Sequence, residues 1–153
     1  MLTQHDISIA TASDALPIAQ LSRDTIERGL SWSWTPRRVM RSVRDSATNV
    51  VVARQAGHLL GFAIMKYDDD EAHLLLLAVQ PTRRREGVGR ALLAWLEATV
   101  QVAGIAAVSL EARAGNHEAR VFYAAHGYRE VGRREGYYEG VEDAVRMRKQ
   151  FAP

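Results

Sequence analysis

Residues 83–100, RRREGVGRALLAWLEATV, join a run of arginines to two glycines one residue apart and then to an amphipathic segment. From residue 87 to residue 103 the spacing predicts a helix with one stripe facing a core, formed by Val88, Leu92, Trp95, Leu96, Thr99 and Val100. A junction of this kind can bind an anion, turn the chain tightly, or belong to a basic patch for nucleic acid. The surrounding sequence decides between these alternatives.

The composition limits the class of protein. The 153 residues are 47% hydrophobic and 25% charged, which predicts one folded domain spanning residues 1–153. A formal net charge of only +2 gives weak support to a nucleic-acid partner, and none is predicted, because the arginines are scattered and no recognition element is present. The longest apolar run, Leu74–Val79, is too short to cross a membrane. The N-terminus, MLTQHDISIATASD, has neither the basic start nor the apolar run of a signal peptide.

The sequence contains no cysteine, which excludes disulfides, zinc–cysteine sites and a cysteine nucleophile. The absence also fits a cytoplasmic location, because disulfides are rare in the cytosol. No metal is predicted, because metal-ligand spacing is missing from the five histidines, His5, His58, His73, His117 and His126.

Strand and helix patterns alternate along the chain. DISIATASD begins with a strand pattern, and ALPIAQLSRDTIERG, residues 15–29, predicts the first helix. Thr35 followed by Pro36 predicts the cap and first turn of a second helix. Ala56-Gly57 predicts the turn of a hairpin. The run AHLLLLAVQ predicts a strand buried on both faces, directly before the arginines.

The remaining segments complete the predicted fold. AAVSLEARA predicts a strand, Asn116 caps a last helix, and YREVGRREGYY and DAVRMRKQF predict two closing strands. The complete order is β-α-α-β-β-β-α-β-α-β-β. This order predicts an α/β fold in which helices cover the faces of a mixed sheet.

The first turn of the helix after the arginines favours the binding of an anion. A helix start offers backbone N–H groups without internal partners and a partial positive charge. Gly87 and Gly89 let a ligand approach those groups closely, and Arg84, Arg85 and Arg90 add positive charge. The glycines alone fit a tight strand-to-helix turn equally well. With the arginines and the apolar strand before them, we favour a pyrophosphate site.

Two familiar phosphate loops do not fit this junction. A P-loop has Lys-Ser/Thr after its last glycine, where this chain has Arg90-Ala91. The dinucleotide fingerprint has a third glycine or alanine where Leu92 stands. Instead, RREGVG, residues 84–89, resembles the R/Q-x-x-G-x-G/A signature of the GNAT superfamily of N-acetyltransferases, which use acetyl-CoA.

The order of elements also resembles the GNAT fold over nearly the whole chain. LEARAGNHEARVFYAAHGYREVGRREGYY, followed by EDAVRM, is most similar to the RimI branch, which acetylates protein N-termini. The resemblance implies an enzyme that moves an acetyl group from acetyl-CoA to a primary amine. The chain departs from RimI between Leu30 and Asn49 and has a shorter turn after Tyr138. A small-molecule amine acetyltransferase and a non-catalytic acetyl-CoA-binding module therefore remain alternatives, each as a monomer or homodimer.

The resemblance assigns a role to each residue of the site. The backbone of one strand would pair with the pantetheine arm, through Leu77, Ala78 and Val79. The helix start would hold the pyrophosphate, through Arg84, Arg85, Glu86, Gly87, Val88, Gly89 and Arg90. Asn116 would contact the cofactor's arm, Glu111 would be the general base, and Tyr123 would be the general acid.

The chemistry of acetyl transfer suits these two side chains. The amine must lose a proton before it attacks, and a strand carboxylate such as Glu111 can accept it directly or through water. A phenol such as Tyr123 is protonated at neutral pH and can protonate a departing thiolate. From the residues alone, Glu111 can equally be an exposed glutamate paired with Arg113, and Tyr123 can be a core tyrosine beside Phe122.

The acceptor is partly constrained by basicity. A free α-amine has a reference pKa near ~8 and lysine near ~10.4, so the α-amine is easier to deprotonate with one glutamate. Trp32 and Trp34 either wall the acceptor pocket or staple the first two helices to the core. Tyr137 and Tyr138 are candidates for the opposite wall. Three acidic residues near them either attract a cationic amine or are simply solvated, namely Glu139, Glu142 and Asp143.

Overall fold

The computed structural model describes residues 6–151, so His5 lies outside the described residues. The element order predicted from the sequence is confirmed. The strands are β1 (Asp6–Ile9), β2 (Thr48–Gln55), β3 (His58–Tyr67), β4 (Glu71–Val79), β5 (Ala107–Arg113), β6 (Arg129–Tyr138) and β7 (Glu142–Gln150). The helices are α1 (Ala15–Thr25), α2 (Pro36–Arg44), α3 (Val88–Val102) and α4 (His117–Ala125). Within residues 6–151, no helix is long and apolar enough to span a membrane.

The strands form one mixed sheet in the order β1-β2-β3-β4-β5-β7-β6. Neighbours are antiparallel except β4 and β5, which run parallel. This parallel pair is short, extending only from Glu71 opposite Ala107 to Leu74 opposite Leu110. Beyond Leu74, β4 continues beside β3 and β5 continues beside β7. The sheet therefore opens between β4 and β5.

A bulge in β4 lies where the opening begins. Ile64 of β3 is opposite Leu76, whereas the next residue, Met65, is opposite Leu74, so Leu75 has no partner in β3. An extra residue of this kind bends a strand and reverses which face its side chains take. Before the bulge, Leu74 packs into the cluster under α3, and after it Leu76 packs into the cluster under α1 and α2.

The prediction that β4 is buried on both faces needs a correction. The strand contributes side chains to both core clusters, but only alternate residues are fully buried. Leu75, Leu77 and Val79 are half-buried. They line the cavities at the opening of the sheet, where β5 no longer covers them.

Helix α1 ends earlier than predicted, at Thr25 rather than near Gly29. The cause is Glu27, a carboxylate that is only 6% exposed. It accepts hydrogen bonds from three groups, Ser22 Oγ (2.8 Å), Ser33 N (2.7 Å) and Trp34 N (3.1 Å). A buried carboxylate needs such partners, and satisfying them turns the chain out of the helix toward the loop before α2.

Other local signals are found as predicted. Thr35 caps α2 by accepting a hydrogen bond from Arg38 N at 3.4 Å, and Asn116 caps α4 by accepting one from Ala119 N at 3.1 Å. The hairpin turn between β2 and β3 has positive φ angles of 52° at Ala56 and 79° at Gly57, as a tight hairpin turn requires.

Gly61 of β3 allows α3 to lie close to the sheet. A Cβ atom at this position would be 2.7 Å from the Ala78 carbonyl oxygen and 3.1 Å from Val88 Cγ1. The first contact is with backbone, which cannot move aside without shifting β4. The absence of a side chain at Gly61 therefore helps to fix where the start of α3 meets β4.

We predict that Gly61→Ala destabilises the fold by about 1–3 kcal/mol, as overpacking of a core does. The measurement is the free energy of unfolding from urea denaturation. Gly132→Ala in β6 is the matched control, because no atom would lie within 4 Å of its Cβ. Equal stability changes in the two variants would contradict this account of Gly61.

Candidate active site

Two cavities adjoin the opening between β4 and β5. One, of about 380 Å³, contains Glu111 and is called the Glu111 cavity below. The other, of about 450 Å³, contains the start of α3 and is called the Gly87 cavity. The two share part of their lining, namely Ile26, Leu77, Asn116, Ala119 and Tyr123. A molecule in one cavity can therefore meet a molecule in the other at these residues.

The Gly87 cavity is built around the first turn of α3. The helix begins at Val88, one residue later than predicted, and Gly87 is its N-cap with φ 85°. Arg85 also has a positive φ, 66°. Left-handed residues next to a helix start turn successive backbone N–H groups toward one point, and the helix dipole adds positive potential there. The geometry suits a bound anion.

The side chains of the Gly87 cavity are strongly cationic. Four arginines line it, Arg83, Arg84, Arg85 and Arg90, against one acidic residue, Glu118. Arg83 is held in place by Gln55 Oε1 at 2.7 Å and by Glu86, whose carboxylate oxygens both lie 3.0 Å from its Nε. The Glu86 side chain thus orients an arginine, and it is the backbone of this residue that the predicted anion site uses.

Gly89 has a packing role in addition to the predicted one. Its Cβ would lie 3.3 Å from the Phe122 ring of α4 and 3.6 Å from Val79 Cγ2. The missing side chain therefore lets α3 and α4 come together beside β4. This contact also closes one side of the Gly87 cavity, whose lining includes Gly89 and Phe122.

Three residues predicted to hold the cofactor's arm lie on the free edge of β4. Leu77, Ala78 and Val79 all line the Gly87 cavity, beyond the last residues that pair with β5. Main-chain groups on an unpaired strand edge are able to bond an extended ligand. Asn116 lines both cavities, and its side-chain oxygen is already used to cap α4.

Glu111 lies in the Glu111 cavity with two polar neighbours. His73 Nε2 is 2.7 Å from Glu111 Oε1, and the Tyr137 hydroxyl donates to the same oxygen at 3.4 Å. Arg113, the partner considered from the sequence, instead donates to Glu142 Oε1 at 2.7 Å. Glu111 therefore faces the cavity as part of a carboxylate–imidazole pair.

The surroundings of Glu111 keep it ionised. Burial raises its pKa, but the hydrogen bond to His73 and the charges of His73, Arg134 and Arg146 outweigh burial and hold the pKa below its usual value. The carboxylate consequently carries a negative charge at neutral pH. It is also a weaker base than an ordinary glutamate, so the imidazole beside it matters.

Sequence reasoning missed His73. It lies at the start of an apolar run and has no ligand or motif partner nearby in the sequence. The parallel register places it opposite Ser109, two residues before Glu111 on the same face of β5. The only sequence signal is an imidazole beside an apolar run, and its partner becomes evident once the pairing of β4 with β5 is known.

Tyr123 is a core tyrosine that also reaches both cavities. Its ring packs edge-on against Phe122 and Tyr128, with centroids 5.2 and 5.7 Å away. The residue is 8% exposed and lines both cavities. Burial, followed by the nearby Tyr138, raises the pKa of Tyr123 far above its ordinary value. The hydroxyl therefore keeps its proton throughout the physiological range.

The two tryptophans have different positions. Trp34 lines the Glu111 cavity, whereas Trp32 lies outside the lining of both cavities. Trp32 Nε1 donates to the Ala19 carbonyl at 3.1 Å, which ties it to α1. On the other side of the cavity, Tyr137 and Tyr138 both belong to the lining and pack at right angles.

The acidic residues near these tyrosines are occupied by the protein itself. Glu139 bridges to the α1–α2 loop, accepting from Ser31 N at 2.8 Å and from Ser31 Oγ at 3.1 Å. Glu142 binds Arg113 and accepts from Gly115 N at 2.9 Å. Asp143 accepts from Gly136 N at 2.9 Å. These carboxylates hold the loops around the cavity together.

The charged groups form pairs and loop contacts, and no metal centre is evident. Within residues 6–151, no group of three or more histidine or carboxylate side chains is arranged to hold a metal ion. The chemistry that the site can perform from its own side chains is proton transfer and anion stabilisation. The proton-accepting groups line the Glu111 cavity, and the helix start lines the Gly87 cavity.

Comparison with known proteins identifies the family. Residues 21–151 match the model of the acetyltransferase (GNAT) domain. The chain is 34% identical over 124 residues to the ribosomal protein bS18 alanine N-acetyltransferase of Escherichia coli strain K12, covering 79% of this chain and 83% of that protein. The residues that match the family model include the whole lining of both cavities.

Solved structures give the same result. Ard1 from Thermoplasma volcanium superposes with a TM-score of 0.87 at 25% identity, covering 99% of this chain and 100% of that chain. The ribosomal-protein-S18-alanine N-acetyltransferase of Escherichia coli gives a TM-score of 0.81 at 31% identity, covering 98% and 96%. The resemblance drawn from residues 84–89 and the element order is therefore confirmed. The chain belongs to the GNAT family of N-acetyltransferases, enzymes that use acetyl-CoA.

Proposed function

We propose that this enzyme acetylates the α-amine at the N-terminus of a protein or peptide, binding the amine in the Glu111 cavity and acetyl-CoA in the Gly87 cavity. The observation that carries the proposal is the junction of the two cavities at Tyr123. On one side lies the Glu111–His73 pair, and on the other lies a cationic helix start. The E. coli relative named for alanine N-acetylation of a ribosomal protein supports the choice of an α-amine.

The Gly87 cavity fits the coenzyme in charge and in shape. The N–H groups of residues 85–90, together with the arginines around them, suit a diphosphate. The free edge of β4 at residues 77–79 suits the amide-containing arm, and Asn116 lies where that arm would pass between the cavities. Acetyl-CoA supplies the acetyl group as a thioester.

The Glu111–His73 pair removes the proton from the amine. Removing a proton at pH 7 costs about 1 kcal/mol for an α-amine and about 4–5 kcal/mol for lysine. Glu111, with its lowered pKa, is a weak acceptor, but an imidazole is a stronger base than a carboxylate. His73 and Glu111 can therefore share the proton, directly or through water. This modest basicity suits an α-amine better than a lysine.

Tyr123 stabilises the leaving group. Its hydroxyl is protonated, because burial raises its pKa, and it lies on the lining common to both cavities. A phenol with a raised pKa gives up its proton reluctantly, so its main contribution is a hydrogen bond to the charge that develops on sulfur. The surrounding rings of Phe122 and Tyr128 hold the phenol in position.

A small amine in the same cavity is the second candidate. The Ser31–Glu139 bridge joins the α1–α2 loop to the β6–β7 turn, and the cavity beside it has a volume of only about 380 Å³. That space suits a small amine or the end of an extended chain.

The lack of cysteine in the sequence is consistent with the cytoplasm, which is the location we propose.

The proposed function predicts which acceptors release coenzyme A from acetyl-CoA. Peptides with a free N-terminus should react fastest, the same peptides blocked at the N-terminus but carrying lysine should react at least about tenfold more slowly, and polyamines should be poor acceptors. The measurement is thiol release under initial-rate conditions. Turnover confined to polyamines would favour the second candidate, and coenzyme binding without turnover of any amine would indicate a non-catalytic module.

The Glu111–His73 pair predicts a change in the pH profile. Because the pKa of Glu111 is held below its usual value, the carboxylate is ionised at pH 6. It can therefore still accept a proton there, where little of the amine is in its free form. Glu111→Gln should lower kcat/KM for the peptide by about 10²–10⁴-fold, with the largest loss at the low-pH end of a profile from pH 6 to 9. His73→Asn should also lower kcat/KM most at the low-pH end of the profile.

The control for both variants is the affinity for acetyl-CoA, measured by calorimetry, which should stay close to the wild-type value. An identical pH profile in wild type and Glu111→Gln would remove Glu111 as the proton acceptor. A normal profile in His73→Asn with an altered one in Glu111→Gln would assign the proton to the carboxylate alone.

A further inference from the structure

Arg38 of α2 is a cation built into the Glu111 cavity. The residue is half-buried and belongs to the lining. Its guanidinium carbon lies 3.8 Å from the centre of the Trp34 ring, and Nη1 donates to Ser33 Oγ at 3.0 Å. Stacking on an aromatic face together with a hydrogen bond fixes the plane of a guanidinium. The group is therefore pre-oriented and retains further N–H donors.

The carboxylates that line this cavity do not neutralise Arg38. Glu27 is bonded to Ser22 and to the backbone of residues 33 and 34. Glu139 is bonded to Ser31, and Glu111 to His73. None of the side chains between residues 6 and 151 forms an ion pair with Arg38. Burial holds the pKa of Arg38 below its ordinary value against the opposing charge of Glu27, but a guanidinium is so basic that it stays positively charged at neutral pH.

A second arginine lies near the same place. Arg134 of β6 is exposed, and its guanidinium carbon lies 5.8 Å from the centre of the Tyr137 ring. It too forms no ion pair with any described residue. The electrostatic neighbours of Tyr137 include Glu111, Arg134 and Arg38. Both arginines are thus placed around the tyrosine that donates to Glu111.

Of the two alternatives considered for Glu139, Glu142 and Asp143, the attraction of a cationic amine finds no support, because each carboxylate is bonded within the protein. The acidic residues considered as attractants for a cation are used to tie loops together. The cation at Arg38 keeps donors free, and a planar guanidinium binds a carboxylate through two parallel hydrogen bonds. A partly buried charge of this kind is stabilised when a ligand of opposite charge binds.

We propose that Arg38 selects an acceptor that carries a carboxylate close to its amine. The inference rests on the proposed function and specifies its substrate class. Two sources supply this chemistry, an acidic side chain at the second or third position of a peptide and the α-carboxylate of a free amino acid. In either case the amine lies at Glu111 while the carboxylate lies at Arg38, both in one cavity.

The test compares peptides that differ at the second position. Three C-terminally amidated peptides begin Ala-Glu, Ala-Gln and Ala-Lys, and alanine and alaninamide form a separate pair. We expect kcat/KM for Ala-Glu to exceed that for Ala-Gln by about tenfold or more, as for a charge-assisted hydrogen bond, with Ala-Lys lowest. If the ratio of kcat/KM for alanine to that for alaninamide exceeds the ratio for Ala-Glu to Ala-Gln, the carboxylate that Arg38 selects is the α-carboxylate of a free amino acid.

Variants assign the preference to Arg38. Arg38→Gln should bring the ratio of kcat/KM for Ala-Glu to that for Ala-Gln close to one. Arg38→Lys should retain part of the preference for Ala-Glu. Because the readout is a ratio within one variant, partial unfolding does not imitate the result. Arg37→Gln is the matched control, since Arg37 is exposed on the same helix, and it should keep the wild-type ratio.

The outcomes separate this inference from the proposed function. Equal rates for Ala-Glu and Ala-Gln in wild type, or a preference that survives Arg38→Gln, would overturn the role of Arg38. If no amine is acetylated, the proposed function fails. Calorimetry of the same peptides with the coenzyme A complex then still decides whether Arg38 selects a carboxylate. Tighter binding of Ala-Glu that is lost in Arg38→Gln would support the inference, and equal binding would refute it.

Discussion

Strands β4 and β5 bond to each other only between Glu71–Leu74 and Ala107–Leu110, and beyond this point each stays with its outer neighbour. The bulge at Leu75 bends β4 where the pairing ends. Main-chain groups of β4 are thereby left facing a gap inside the sheet, with Glu111 on the opposite strand. A coenzyme and an amine can enter this gap from opposite sides and meet beside Tyr123.

The loops around the gap are held by contacts between distant segments. Arg113 Nη1 donates to the carbonyls of Ile26 at 3.0 Å and Arg28 at 2.7 Å, which ties the end of α1 to β5. Its ion pair with Glu142 ties the same strand to β7. Because these contacts consume the local carboxylates, Arg38 lines the cavity without an ion pair to any residue between 6 and 151. The carboxylates in this region therefore join the loops around the gap.

Features that depend on neighbouring residues could be predicted from the sequence. The caps at Thr35 and Asn116, the hairpin turn and the glycine turn at the start of α3 follow from spacing within a few residues. The His73–Glu111 pair could not be predicted, since it depends on which strands adjoin and in what register. The same holds for α1, whose early end depends on bonds between Glu27 and the loop beyond it.

We infer that the left-handed turn at the start of α3 holds the diphosphate of the coenzyme beside this gap. Calorimetric titration of coenzyme A tests it in wild type, Gly87→Ala and Gly104→Ala. Both glycines have positive φ, 85° and 72°, so both variants bear similar backbone strain, but Gly104 lies just beyond the opposite end of α3. We expect the affinity for coenzyme A to fall by about tenfold or more only in Gly87→Ala, because charge-assisted hydrogen bonds are lost. Equal affinities in the two variants, or no binding by wild type, would contradict it.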